Sequence, residues 1–286
     1  MKWVESLQVA LDYMEDHLEE QVTIEGIAEA AMMSPFHFQR VFQALTDMSV
    51  KEYIRKRRLT LAAYDLAKTD RKIIDIALQY GYETPESFSK AFRKQHGISP
   101  REARTYKGKI TSYNRLSIQV NLKGDDPMQY EIVDKSAFQV VGMKHEVSCH
   151  DGQNEVEIPK LWDKVNKDGT DDALAQMNNG NIQGIVGVCV DLHPEKPSFM
   201  QYWIGTDYEG KVPEGMEKLT IPASKWAVFE VKGSMPQAIQ QAWGKIYSEW
   251  FPSSGYQHAG TPDLEVYSDG DIHSPSYHSE IWIPVK

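Results

Sequence analysis

With 286 residues, 41% of them hydrophobic and 25% charged, the chain has material for two ordinary domains, each with its own core. That composition excludes a disordered, collagen-like or disulfide-stapled chain, and the two cysteines, Cys149 and Cys189, lack metal-ligand spacing. The formal net charge of −10 falls wholly in one part: residues 1–107 carry 16 bases and 16 acids, whereas residues 108–286 carry 15 and 25.

The first stretch, M-K-W-V-E-S-L-Q-V-A-L-D-Y-M-E-D, is acidic and amphipathic. Trp3, Leu7, Ala10, Leu11 and Met14 recur at helical spacing, which predicts a helix and neither a signal peptide nor an anchor. No later run is long and apolar enough to span a bilayer, so no membrane partner and a reduced cytoplasmic setting are expected. Val22-Thr23-Ile24 leads into a second helix with Thr23 as N-cap and Ile24, Ile27, Ala28 and Ala31 as its buried stripe. Ser34-Pro35 then opens a third, an N-cap followed by proline in the first turn. Phe38, Val41, Phe42 and Leu45 point inward in this reading, and Phe36, His37, Gln39, Arg40 and Gln43 point outward.

The same unit recurs further on. Ile73, Ile74, Ile76 and Ala77 form a short helix that stops at Gly81, and Thr84-Pro85 starts another. Phe88, Ala91 and Phe92 share one side of it; Ser87, Ser89, Lys90, Arg93 and Lys94 share the other. Ile27-Ala28 matches Ile76-Ala77, Ser34-Pro35 matches Thr84-Pro85, and Phe38/Phe42 matches Phe88/Phe92. The first copy is one residue shorter in its turn, with Met32 where the second has Gly81, so a slightly different turn is expected. A short helix, a tight turn and a second helix with a polar outer face is the helix-turn-helix plan, whose second helix enters a major groove. Residues 40–107 hold 15 bases and eight acids, a local positive segment inside an acidic chain. Between the copies, Val50 to Lys68 reads as one helix with Tyr53, Ile54, Leu61, Ala62 and Leu66 as contacts. At ~1.5 Å per residue it spans roughly 30 Å, against roughly 34 Å between successive major-groove openings on one face.

Through Ile76-Ala77, Gly81-Tyr82, Phe88, Phe92, Gly97, Ser99-Pro100 and Arg104, the second copy closely resembles the second helix-turn-helix of the AraC/XylS family of transcription regulators. The resemblance implies an all-α region over residues 1–107, with two helix-turn-helix subdomains joined by a linker helix, on a bipartite site in double-stranded DNA. It also implies an activator with RNA polymerase as a partner, and base contacts at the outward positions. There Arg40 suits guanine and Gln39 adenine, Phe36 a thymine methyl, and His37 a base or phosphate, with Gln43 a further DNA-binding position. On the second helix Glu86, Ser87, Ser89 and Lys90 correspond, while Arg93 and Lys94 suit phosphates.

Residues 108–127 read as a linker, with an alternating stretch from Leu116 to Leu122 and a turn-rich G-D-D-P cluster. From 128 to 286 the texture becomes alternating and aromatic, again as a repeat. A strand at 138–147, a helix around I-P-K-L-W-D-K-V and strands at 184–191 and 198–205 form one copy. A strand at 225–233, the helix A-I-Q-Q-A-W-G-K-I-Y-S-E-W-F and strands at 263–269 and 277–285 form the other. Two βαββ repeats predict an α+β domain whose halves enclose a small-molecule site. W-A-V-F-E-V and D-L-E-V-Y…Y-H-S-E-I-W-I-P-V resemble the gyrase-inhibitor-like effector-binding domain, and the whole is similar to the right-origin-binding type of regulator. The family's pocket glutamate is matched here to Glu280. Strand alternation places Trp282 beside it, the repeat adds Trp203, and Glu265 and Tyr267 alternate alike on the preceding strand. Carboxylates among aromatic rings suit a small organic cation. Trp162 and Trp243 read as core. Alternatives are a hydrolase using Glu280 with Tyr267 as acid and base, or a module that binds a protein partner. His258, His273 and His278 lack ligand spacing, so no metal is expected, and with no nucleophile elbow, phosphate loop or zinc motif in the sequence, neither a cofactor nor catalysis is expected.

Overall fold

The computed structural model describes residues 2–118, 128–149, 153–192, 195–196 and 199–286. The second part of the expected linker, including Val120, Leu122 and the G-D-D-P cluster, lies outside them, as do Ser198 and the side chain of Trp3. The described residues form two compact units: Lys2–Met33 with Met48–Val120, and Ser34–Asp47 with Asn121–Lys286.

The first unit holds α1 (Lys2–Asp16), α2 (Ile24–Ala30), α4 (Val50–Lys68), α5 (Ile73–Gln79), α6 (Pro85–His96) and α7 (Pro100–Ala103). The stretch Pro35–Thr46 forms α3, in the second unit. N-caps fall where short polar side chains precede the apolar stripes. Thr23, Ser34, Ser49 and Thr84 each accept from a backbone N–H three residues on, and Ser99 and Glu102 form a capping box. Leu59, Ala62, Leu66, Ile76, Ala77, Phe88 and Phe92 build one buried cluster. Leu61, expected among the contacts, is only half-buried at its edge. The basic run of α4 is put to structural use: Arg57 grips Glu15 through Nε and Nη2 at 2.8 and 2.7 Å, and Arg58 donates to the Leu18 carbonyl at 2.7 Å.

The two helix-turn-helix turns are alike, against the expectation drawn from Met32. Tyr82 N–H donates to Ala77 O at 2.9 Å and Gly81 N–H to Leu78 O at 3.0 Å; Met33 and Met32 donate to Ala28 and Glu29 at 2.9 Å each. Both are the hydrogen-bond pattern that closes a helix through one left-handed residue. Gly81 meets that demand at φ 79° without a Cβ, and Met32 meets it at φ 55° with its side chain in solvent.

The second unit is an antiparallel sheet in the order β1-β6-β8-β7-β3-β4-β2-β5. The expected repeat gives β2 (Phe138–Ser148), α8 (Gln153–Asp168), β3 (Ile185–Asp191) and β4 (Phe199–Asp207). Its second copy gives β6 (Ser224–Lys232), α10 (Gln237–Lys245), β7 (Asp263–Tyr267) and β8 (His278–Val285). Also present are α9 (Thr170–Met177), a π-helical segment Ile246–Trp250 and α11 (Phe251–Ser254). Two leading strands, β1 (Tyr130–Lys135) and β5 (Glu217–Ile221), pair with the other repeat, β1 on β6 and β5 on β2. The halves meet at β3 and β7, where Val188 stands opposite Leu264 and Gly187 opposite Glu265. Trp203 lies across from Val188 and Trp282 across from Leu264, so the matched tryptophans occupy matched places.

Candidate functional site

Strand register sorts the expected effector residues onto opposite faces of the sheet. Glu280 pairs with Val266 and Trp282 with Leu264, so both share a face with Trp203 in the cluster that includes Trp226, Val188 and Val266. Glu265 and Tyr267 stand across from Ile281 and Ser279 and face the other way. The five residues therefore do not line one pocket. Glu280 accepts from the Trp282 indole at 2.7 Å, and Trp282 is buried against Trp226. The acid–base pairing of Glu280 with Tyr267 is likewise closed off, because the Tyr267 hydroxyl donates to Glu265 at 3.0 Å.

The chemistry collects around Glu265. Its Oε2 accepts from the hydroxyls of Tyr202 at 3.1 Å and Tyr267 at 3.0 Å, and its Oε1 accepts from the Trp243 indole at 2.9 Å. The Trp162 indole in turn donates to Tyr202 Oη at 2.9 Å, and its ring meets Tyr267 edge-on at 4.6 Å. Trp162 and Trp243, read from the sequence as core, thus serve the carboxylate from the two repeat helices, Trp243 directly and Trp162 through Tyr202. Burial and the adjacent Glu265 charge hold both tyrosine hydroxyls protonated far above their usual range. They remain donors, which is what a buried carboxylate requires.

A cation from α3 completes the site. Arg40 Nη1 donates to Asp263 Oδ2 at 2.9 Å, Nη2 lies 3.6 Å from Glu265 Oε1, and the guanidinium sits 3.5 Å above the centroid of Trp243. The side chains of Arg40, Asp263 and Glu265 are 14%, 4% and 12% exposed. Burial works against the Arg40 charge, yet neighbouring acidic groups including Asp263 and Glu265 hold its proton more firmly than usual. Burial likewise opposes the Asp263 carboxylate, but His258 and Arg40 keep it below the ordinary carboxylate range. Gly260 N–H donates to His258 Nδ1 at 3.0 Å, which leaves His258 Nε2 to donate to Asp263 Oδ1 at 2.7 Å. His37 packs 4.4 Å from the His258 ring, and burial together with His258 lowers its pKa to about 3.

The outward positions expected on α3 are therefore largely covered. Phe36 and His37 are buried, Arg40 is engaged as described, and Gln39 and Gln43 are half-buried. Phe36 belongs to the apolar cluster of Tyr202, Cys189 and Val147, and Leu45, expected inward, is half-buried. On α6 the picture is reversed: Glu86, Ser87, Lys90, Arg93 and Lys94 are exposed and Ser89 is half-buried. Sequence reading missed Tyr202, Tyr247, His258 and Asp263. Asp263 had a signal, since it shares the alternation of Glu265 and Tyr267; the partnership with Arg40, 223 residues away, had none.

Comparison with known proteins finds two family matches along the chain. Residues 131–285 match the family described as integron-associated effector binding protein, and residues 27–106 match a helix-turn-helix domain. YbfP of Bacillus subtilis, an HTH-type transcriptional regulator, is 38% identical over 138 residues, 46% of this chain and 47% of YbfP, so the match spans about half of that relative. AarP of Providencia stuartii, an HTH-type transcriptional activator, is 38% identical over 37% of this chain and 76% of AarP. The structure of SAV2435 bound to tetraphenylphosphonium has 29% identity and a TM-score of 0.50, covering 56% of this chain and 94% of SAV2435. With the match covering more than half its residues, the chain belongs to the integron-associated effector-binding protein family, here joined to a helix-turn-helix region of the AraC type.

Proposed function

We propose that this chain is a DNA-binding transcription regulator whose second unit takes a small organic cation on Glu265. One observation carries the reading: a carboxylate held under the sheet's helices by two tyrosines and Trp243, with a cation already lying over that same Trp243 ring. That is the chemistry which compensates the desolvation of a positive ligand. The likeness to SAV2435, solved with tetraphenylphosphonium, supports it. Calorimetry with tetraphenylphosphonium tests it: Glu265→Gln should weaken binding by at least about thirtyfold. Equal affinity in both proteins, or no binding in either, would remove Glu265 from the role.

On the DNA side, α3 and α6 are the reading helices and α4, 19 residues long, is the spacer that suits two successive major grooves. We read activation, through contact with RNA polymerase in the cytoplasm, from the likeness to the activator AarP. Selection from random duplex pools tests this half. A bipartite motif with half-sites about one turn apart is expected, and recovery of a single half-site would contradict the two-groove arrangement.

A further inference from the structure

We propose that the Glu265 pocket is a receptor for planar, hydrogen-bonding cations of the guanidinium or amidinium class, which Arg40 of α3 fills in cis. A free cation of that class displaces α3 and releases its outer face. The inference rests on the reading of this pocket as a cation site and adds the ligand's shape and the competition.

The shape comes from the pair of carboxylates. Asp263 and Glu265 lie two residues apart on one strand, on one face, and one guanidinium reaches both with its central carbon 3.5 Å over the Trp243 ring. A quaternary cation could use the Trp243 face and the Glu265 charge but would offer Asp263 no N–H. Tyr247, stacked 5.6 Å from Trp243, ends in a buried hydroxyl with no protein partner among the described residues, which leaves an acceptor for a further N–H. The competition follows from space: two cations cannot occupy the plane above Trp243 at 3.5 Å. α3 also seats closely along α10, where a Cβ at Gly244 would stand 3.6 Å from the Ala44 carbonyl oxygen. The residues freed on release, Gln39, Arg40 and Gln43, are those expected to meet base edges. Cation and DNA half-site would then favour the same released state, each raising the other's affinity.

Calorimetry on the full chain tests the proposal, with benzamidine as the planar donor and tetraphenylphosphonium as the cation without N–H groups. A site closed by its own arginine binds with an affinity reduced by the fraction open. Arg40→Gln should therefore bind benzamidine at least about tenfold more tightly than the parent chain. Gly244→Leu, which crowds α3 without touching a carboxylate, should shift affinity the same way and decides the matter if Arg40→Gln fails to fold by circular dichroism. Equal benzamidine affinity in all three proteins, lost only in Glu265→Gln, would overturn the competition and leave the pocket reading standing. Tetraphenylphosphonium gaining as much as benzamidine from Arg40→Gln would overturn the planar-donor preference. Failure of both cations to bind any of the three would remove the pocket reading itself.

Discussion

α3 and α6 are built alike and presented differently. Each begins with a hydroxyl N-cap and a first-turn proline, buries a pair of phenylalanines four residues apart, and ends on a left-handed residue, Asp47 or Gly97. Yet α6 leaves Lys90, Arg93 and Lys94 in solvent, while α3 buries Phe36 and His37 and ties Arg40 to Asp263. Local sequence decides that a helix forms and which side is apolar. What the outer side meets is decided by residues more than a hundred positions away.

The contrast can be broken from either side, beginning with the largest effect. Phe88 is fully buried in the cluster under α6, so Phe88→Ala should cost about 3–5 kcal/mol in urea unfolding. A loss under about 1 kcal/mol would mean that α6 does not depend on that core. Acid should act on both helices, since burial also lowers the pKa of His96 on α6, but the larger shift is on α3. His37, facing His258, Asp263, Arg40 and Tyr247, has its pKa lowered to about 3, against about 6.5 in an open chain. The seated form therefore refuses a proton that the released form accepts. Its stability is whole above about pH 6.5 and falls by about 1.4 kcal/mol per unit as pH drops below that value toward about 3. Thermal melts from pH 7.5 to 5 should show the slope, and His37→Gln should make it shallower, leaving the part that His96 contributes; an unchanged slope would place the titration elsewhere.

The turns offer a smaller, paired test. Met32→Gly should stabilise by about 1 kcal/mol and Gly81→Ala should destabilise by a similar amount, since both positions are left-handed. Opposite signs in chemical denaturation are the expected result, and a neutral Met32→Gly would show that the shorter turn tolerates its side chain without strain. Smallest is the effect of the exposed charges. Arg93→Ala should weaken DNA binding almost uniformly across sequences and reduce the salt slope by about 1. A change confined to one base position would make Arg93 a base reader.

Much of the scaffold was legible because it is local. Caps, first-turn prolines, the helix stripes and the βαββ repeat each rest on spacings within one element, and the matched tryptophans Trp203 and Trp282 revealed the pseudo-symmetry. The pocket was harder. Alternation shows that Glu280 and Trp282 share a face, but only the pairing of Val266 with Glu280 tells which face that is, and it is the one away from Glu265. Trp162 and Trp243 look like core from helical periodicity, because an indole that donates to a buried acceptor and one that merely packs have the same spacing. Strands β1 and β5 escaped notice because each completes the edge of the opposite repeat, a long-range arrangement that no window of sequence contains.

Amide exchange of the full chain, read separately over Pro35–Thr46 and Pro85–His96 with and without saturating benzamidine, tests the central claim most directly. Protection should fall across α3 and stay unchanged across α6. Benzamidine bound by calorimetry with α3 as protected as before would contradict it.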